Sequence, residues 1–436
     1  MYDIIIIGAG PAGLFVANEL SSKNLNILII DKKSYVGGSG AITDGKLNLS
    51  YEIGMDLEEL KLDKEEALKK INYIDKIFVK YGADKKLYGV EEEKINFWKE
   101  KALKYGINLI ASKQRHMGSD NTFKIIKKFQ KDLENKGIKF LLKTKVDNIK
   151  INKNFEIYTS KENFESKYLI VAPGRSGAYW FREQAKKLNI KSMYGAIDVG
   201  VRVEVKSNIY KNITDIIYDP KFILRSHCHG DKVRTFCTNP NGRVKIEENS
   251  FKLINGDALK KYKTNNTNFA ILTTLTLTKP IADTKEYGIN LIKFALLAGG
   301  GKPIIQRYGD LKRGSRSKVE TFFSKERGYD NLKPTLKLIK DVVPADISLA
   351  YPDRIVNNIK EMIELLDEFI PGIANPETLI YAPEVKFYDT KYETNKYLET
   401  NIKNLYVAGD GVGKSRGIVG AALNGILVAE GISKTL

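Results

Sequence analysis

The stretch Tyr2-Asp3-Ile4-Ile5-Ile6-Ile7-Gly8-Ala9-Gly10-Pro11-Ala12-Gly13 decides the fold. Its first half is a continuous apolar run, the mark of a strand buried on both faces of a parallel sheet. Its second half spells Gly-x-Gly-x-x-Gly, and Leu14 to Ser22 reads as a helix. Leu25 to Ile30 is a second buried strand that ends in Asp31. Strand, glycine turn, helix and strand make one βαβ unit. In such a unit Gly8 permits the tight turn, Gly10 lets the backbone approach a pyrophosphate, and Gly13 lets helix and strand pack closely. The helix N-terminus turns free N–H groups and the positive end of its dipole toward phosphates. Seventeen residues separate Gly13 from Asp31, which sets a carboxylate at the strand end to accept a ribose hydroxyl. The segment predicts a dinucleotide site.

Working outward, residues 57–110 are rich in Lys, Glu and Leu at helical spacing and predict a helical insertion. Asn121 to Lys136 is a further amphipathic helix, with Asp120 as N-cap and Gly137 past its end. Strands are expected at 138–143, 146–151, 154–159 and 168–172. From about 195 to 350 the texture changes to strands with turn signals, such as Gly195–Val205 and Thr267–Thr278. Residues 353–370 read as helix, and 404–436 return to strand, turn and helix. The expected architecture is α/β. A discontinuous Rossmann-like domain (1–180 and 370–436) carries an inserted, sheet-rich α+β substrate domain (181–369).

The other end of the chain addresses which dinucleotide is bound. Thr400-Asn-Ile-Lys-Asn-Leu-Tyr-Val-Ala-Gly409-Asp410 resembles the second FAD fingerprint of the glutathione-reductase-like flavoproteins. The resemblance gives Asp410 the ribityl or pyrophosphate portion of FAD. The helix from Gly417 and Ile418 would then face the flavin N1/C2=O edge, its dipole stabilising negative charge on reduced flavin. No second Gly-x-Gly-x-x-Gly lies between the two fingerprints, so a dedicated NAD(P)H domain is not expected, and NADH or NADPH would act as a transient donor.

Further stretches carry a resemblance along nearly the whole chain. They include Gly37-Gly-Ser-Gly-Ala-Ile-Thr-Asp44-Gly-Lys46, His116-Met-Gly118, Ala172-Pro-Gly174-Arg175, Arg234-Thr-Phe-Cys237, Gln306-Arg307-Tyr-Gly309-Asp310, Glu384-Val-Lys386 and Ser415-Arg416-Gly417. With them the chain resembles the uncharacterised FAD-dependent dehydrogenase family of bacterial and archaeal flavoproteins, a branch of the NAD(P)/FAD-dependent oxidoreductases. The resemblance implies a FAD-binding Rossmann-like domain with a substrate domain, and supplies no substrate. Relatives often carry a second cysteine two residues after Cys237; here that position is Asn239, so a redox pair is not assumed. Besides the glycines, Pro11, Ala12, Asp31, Asp410 and Ile418, the expected cofactor contacts are Lys32, Gly38, Asp44, Lys46, Val146, Ala172, Gly174 and Arg175. Lys414 and Arg416 flank the flavin-facing helix and could compensate charge on reduced flavin.

Composition sets the class. Apolar residues are 42% and charged residues 28% of 436, which is globular. Two cysteines exclude a disulfide scaffold and fit a reducing cytoplasm, the expected compartment. No apolar run approaches a membrane span, and Asp3 replaces the basic start of a signal peptide. Lys+Arg 71 against Asp+Glu 53 gives +18, spread as a solvated lysine-rich surface. The sharper reading of that charge is a footprint for nucleic acid. Composition sets no oligomeric state.

His227-Cys228-His229 and Cys237 concentrate the reactive side chains. Pairing strands 222–229 and 232–239 across a Gly230-Asp231 turn sets Leu224 opposite Cys237 and leaves the cysteines too far apart for a bridge. His227 and His229 would share a face, but further ligands are not evident and no metal is expected. Arg307, Lys312, Arg313, Arg316 and Lys318 read either as an exposed basic loop or as an anion clamp. The catalytic candidates are Cys237, His227 and Arg307. The leading expectation is a FAD-dependent oxidoreductase exchanging hydride between flavin N5 and a small, anionic substrate bound between the domains. Two alternatives stand beside it: a tRNA-modifying flavoprotein that uses its basic surface, and a flavin-binding redox sensor without turnover.

Overall fold

The computed structural model describes residues 1–436 except 44, 249–250, 324–331 and 388–389. These residues form two compact units: Met1–Lys86, Arg115–Gly195 and Asp389–Leu436 in the first, Leu87–Gln114 and Ala196–Tyr388 in the second.

In the first unit the strand Tyr2–Ile7 lies between Ile27–Ile30 and Asn163–Val171, parallel to both. Lys139–Leu141 adds a parallel strand beyond Ile27–Ile30, and Leu405–Val407 runs parallel to the C-terminal half of Asn163–Val171. Val146–Ile151 and Phe155–Thr159 complete the sheet as an antiparallel meander on the other half of that strand. Ile4, Ile5 and Ile6 are fully buried, the reason for an unbroken isoleucine run in a strand covered on both faces. Helix Pro11–Leu20 starts at Pro11, earlier than Leu14, because proline at the first helical position lacks only an N–H that would be unpaired there anyway. It packs against the C-terminal helix Gly417–Ser433, where a Cβ on Gly425 would come within 2.4 Å of the Ala12 carbonyl oxygen. The expected 57–110 insertion divides. Helix Lys64–Lys80 belongs to this unit and helix Glu92–Leu103 to the other, and Asn108–Ile110 is a strand.

The second unit is built on eight strands in the order Val343–Pro344, Ile304–Arg307, Leu379–Phe387, Ile197–Lys206, Asn266–Leu275, Lys232–Asn239, Lys221–Arg225 and Asn108–Ile110. Leu379–Phe387 sits near its centre, so residues 370–388 fall in this unit and not in the discontinuous first domain as expected. Along Ile197–Lys206, Val199, Val201, Val203 and Val205 enter an apolar core with Phe269, Ile271 and the helix residues Ile355, Ile359 and Met362. Alternation sends Asp198, Arg202 and Glu204 to the opposite face, and all three are fully buried. A polar face buried this deeply requires internal partners.

The hairpin register differs from the expected one. Leu224 pairs with Val233 and Arg225 with Lys232, leaving residues 226–231 as a loop closed by Ser226 N donating to the Asp231 carbonyl at 2.9 Å. This longer loop lifts His227, Cys228 and His229 out of the ladder and moves Cys237 away from Leu224. The two cysteines form no disulfide with each other; Cys228 is exposed and Cys237 buried.

Candidate functional site

In the first unit, residues from both ends of the chain gather where the parallel strands end, the edge at which open α/β sheets bind ligands. Gly8 follows Tyr2–Ile7 with φ +112°, and a Cβ there would lie 2.0 Å from the Ala172 carbonyl oxygen. That combination admits only glycine. Gly13 packs equally tightly: its Cβ would lie 2.1 Å from the Gly8 carbonyl oxygen and 3.1 Å from Ile6. Gly10 differs. It caps helix Pro11–Leu20 in extended conformation without a side-chain cap, and a Cβ added to it meets nothing within 4 Å. The helix start is thus bare, with the Ala12 and Gly13 N–H groups ahead of the first helical bond, from Leu14 N to the Gly10 carbonyl at 3.0 Å. Gly38 stands over it, its Cβ position 3.7 Å from Gly10 Cα.

Asp31 clasps this turn. One carboxylate oxygen accepts from Ala9 N at 2.8 Å and the other from Lys33 N at 2.8 Å. A carboxylate offers about four acceptor sites, so both oxygens retain capacity for a ligand hydroxyl. Lys32 Nζ donates to the Ser176 carbonyl at 2.8 Å, and burial holds its ammonium below the usual lysine range.

Residues from the C-terminal end meet the same edge. Gly409 N donates to Asn424 Oδ1 at 3.0 Å, and Arg175 Nε sits 3.1 Å from Asp410 Oδ2 with Arg416 Nη1 at 3.6 Å from Oδ1. Gly411 packs on Gly174, its Cβ position 2.1 Å from the Gly174 carbonyl oxygen. Helix Gly417–Ser433 begins without a side-chain cap, and Arg416 N donates to the Gly54 carbonyl at 2.6 Å. Ile418 and Pro11 both border Gly40, whose Cβ position is 3.8 Å from Ile418 and 2.8 Å from Pro11. Lys414 is buried, bonded to Glu59 at 3.1 Å, and its burial lowers its pKa.

The structure therefore brings together Gly8, Gly10, Pro11, Ala12, Gly13, Asp31, Gly38, Ala172, Gly174, Arg175, Gly409, Asp410, Gly417 and Ile418. Lys46 is buried on the short strand Lys46–Asn48. Val146 points its side chain into the sheet core with Ile5, Ile7 and Leu28. Asp44 lies outside the described residues. Sequence reasoning missed Gly54, Glu59 and Asn424. Asn424 is fully buried in the C-terminal helix, with Nδ2 unpartnered; a polar residue inside Gly420-Ala-Ala-Leu-Asn424-Gly425 was the available signal.

The catalytic candidates in the second unit separate. Arg307 is 3% exposed, pairs with Glu377 at 2.9 Å and stacks over Phe322 at 4.9 Å. Lys312 pairs with Glu364 at 3.0 Å and Arg313 with Asp310 at 2.5 Å. Glu377 and Glu364, distant in sequence, thus neutralise Arg307 and Lys312, and nearby Asp310 neutralises Arg313, while Arg316 and Lys318 are exposed. His227 is exposed, its Nδ1 2.5 Å from Glu361 Oε1. Cys237 sits at a bulge with φ +51°, and its carbonyl accepts from Arg202 Nη1 at 2.9 Å. Arg202 also forms a bidentate pair with Glu384 at 2.6 and 2.8 Å, both side chains fully buried. Among the described residues, no group of three His, Cys, Asp or Glu side chains is placed to hold a metal, and no helix is long and apolar enough to cross a membrane.

Residues 6–56 match the model of the NAD(P)-binding Rossmann-like domain. An uncharacterised protein of Clostridium beijerinckii is 24% identical over 98% of this chain and 80% of its own length. A 34-residue stretch is 53% identical to an uncharacterised protein of Methanosarcina barkeri, covering 8% of this chain and 9% of that one. Among solved structures, glycine oxidase from Geobacillus kaustophilus aligns over 99% of this chain and 95% of its own, at 13% identity and TM-score 0.45. L-proline dehydrogenase from P. horikoshii aligns over 100% and 94%, at 14% identity and TM-score 0.46.

Proposed function

We propose that this protein is a FAD-dependent oxidoreductase that exchanges hydride with a small-molecule substrate. One observation carries the reading. Two bare helix N-termini, from opposite ends of the chain, each with a carboxylate nearby, meet at one edge of a parallel sheet. One such start serves the pyrophosphate of a dinucleotide; the second, with its own carboxylate, gives the flavin end of FAD a place. In this reading Gly10 and the Ala12 and Gly13 N–H groups hold the pyrophosphate, and Asp31 accepts a ribose hydroxyl beside its two backbone bonds. Asp410, oriented by Arg175 and Arg416, takes the ribityl end. The start of helix Gly417–Ser433 favours negative charge opposite it, an effect of about 0.3–1 kcal/mol at an exposed site and more when buried. The orphan Asn424 Nδ2 fits a group that accepts hydrogen bonds. Bound FAD would supply the hydride chemistry; the chain supplies position and charge.

NADH or NADPH is the proposed transient donor. The ion pairs of Arg307, Lys312 and Arg313 weaken the case for an anionic substrate. The test is titration of flavin-stripped protein with FAD, followed by anaerobic addition of NADH and then NADPH. Stoichiometric binding with bleaching by one nicotinamide supports the reading; failure of FAD to bind refutes it.

A further inference from the structure

On the polar face of the eight-stranded sheet, Asn239 and Asn268 stand opposite each other on antiparallel strands. Asn239 Nδ2 donates to Asn268 Oδ1 at 3.2 Å and to the Cys237 carbonyl at 3.0 Å, and lies 3.7 Å from Cys237 Sγ. Both asparagines are 0% exposed, yet the other ends of their amides, Asn239 Oδ1 and Asn268 Nδ2, have no hydrogen-bond partner. A buried polar atom left without a partner loses its hydration and gains nothing in return. Here two of opposite sense, an acceptor and a donor, belong to amide heads bonded to each other.

The neighbours do not answer them. Arg202 spends all five of its donors, on Glu384 Oε1 and Oε2, the Cys237 carbonyl, Asn268 Oδ1 and Asn255 Oδ1. Gly256 backs the cluster without a side chain; a Cβ there would lie 2.1 Å from Asn268 Oδ1, 2.5 Å from Asn239 Nδ2 and 2.9 Å from Arg202 Nη1. Arg202, itself locked by Glu384, therefore fixes both the Asn268 amide and the backbone that carries the thiol.

We propose that Asn239, Asn268 and Cys237 form a binding site for a small molecule bearing a carboxamide-like edge, an N–H group beside a carbonyl oxygen. The ligand N–H donates to Asn239 Oδ1, its carbonyl accepts from Asn268 Nδ2, and the thiol lies alongside. A site built from one donor and one acceptor rejects analogues that lack either partner, because its own buried atoms are then left unpaired. This assignment rests on the second unit alone and is independent of the cofactor reading.

Iodoacetamide tests it on the full-length protein, because the reagent carries the recognised edge and an electrophilic carbon. In the labelling step the Cys237 thiolate forms a C–S bond, the C–I bond breaks, iodide leaves, and the thiol proton passes to solvent. Exposed Cys228 is the internal reference. The rate at Cys237 should saturate with reagent. Acetamide at about nine times its dissociation constant should slow labelling of Cys237 about tenfold, leaving Cys228 unchanged. Acetate, which has no N–H to offer, should protect poorly. Asn268→Asp removes the donor and should abolish acetamide protection while Cys228 reactivity and circular dichroism stay as in the parent. The wild-type competition stands by itself should that variant misfold. Labelling of Cys237 that is linear in reagent, absent altogether, or equally protected by acetate and acetamide would overturn the proposal.

Discussion

Replacing Gly10 and Gly13 in turn by alanine separates a ligand glycine from a packing glycine. At Gly10 the backbone is extended, with φ −77°, and the added methyl meets nothing within 4 Å. Alanine is unstrained there and stiffens the unfolded chain, so the apoprotein should be unchanged or more stable by about 0.4–1 kcal/mol. The same methyl stands where a pyrophosphate approaches the Ala12 and Gly13 N–H groups. Losing one charge-assisted hydrogen bond of about 1.5–3 kcal/mol weakens FAD binding by roughly ten- to a hundredfold. At Gly13 the added methyl meets the Gly8 carbonyl oxygen at 2.1 Å, so helix Pro11–Leu20 must shift off the strand. Overpacking of that kind costs about 1–3 kcal/mol or more. The assays are thermal unfolding of flavin-free protein and FAD titration by fluorescence quenching. Gly10→Ala should lose affinity at undiminished melting temperature, and Gly13→Ala should lose melting temperature as well. Parental FAD affinity in Gly10→Ala, or equal thermal losses in both variants, would refute the reasoning.

Further outcomes follow from the second unit and the surface. Removing one partner of the buried Arg202–Glu384 pair, as in Glu384→Gln, should cost about 3–5 kcal/mol in urea unfolding. Arg307→Met, which strands Glu377, should likewise lower stability and leave the Michaelis constant for any substrate near parental, the reverse of what an anion clamp requires. Burial raises the Glu204 pKa above the usual carboxylate value, with bonds from Tyr381, Asn266 and Thr335 opposing the shift. Its contribution is fully present below the unfolded-state pKa and is lost as pH rises through the raised folded-state value. The stability of the parent relative to Glu204→Gln should therefore fall between pH 4 and pH 8, as urea unfolding at the two pH values would register. Finally, a lysine-rich surface that is merely solvated should hold RNA only weakly, with binding lost at physiological salt; tight binding with a steep salt slope would revive the RNA-modifying alternative.

Local patterns in the chain announced the first unit's site. The isoleucine strand, the three glycines, Asp31 and the strand leading into Gly409-Asp410 are each legible because a short window holds the whole physical requirement. What escaped depends on distant partners. Nothing near Arg307 points to Glu377, and Arg202 and Glu384 are 182 residues apart. Residues 370–387 were expected with the C-terminal strand and helix, whereas the place of their strand is set by pairing with Ile197–Lys206, far away in sequence. The hairpin was misread because Gly230-Asp231 signals a turn, while the Ser226 and Asp231 backbone bond that closes the longer loop leaves no trace in composition. Likewise, the amide pair of Asn239 and Asn268 exists only through the register of two strands.

The most direct measurement of the central claim is the identity and stoichiometry of the flavin released when protein purified and then reconstituted with FAD, FMN or NAD is denatured. The account predicts one FAD per chain, retained through gel filtration, with neither FMN nor NAD retained in its place. Protein that retains FMN or NAD instead, or no nucleotide from any of the three, would contradict it.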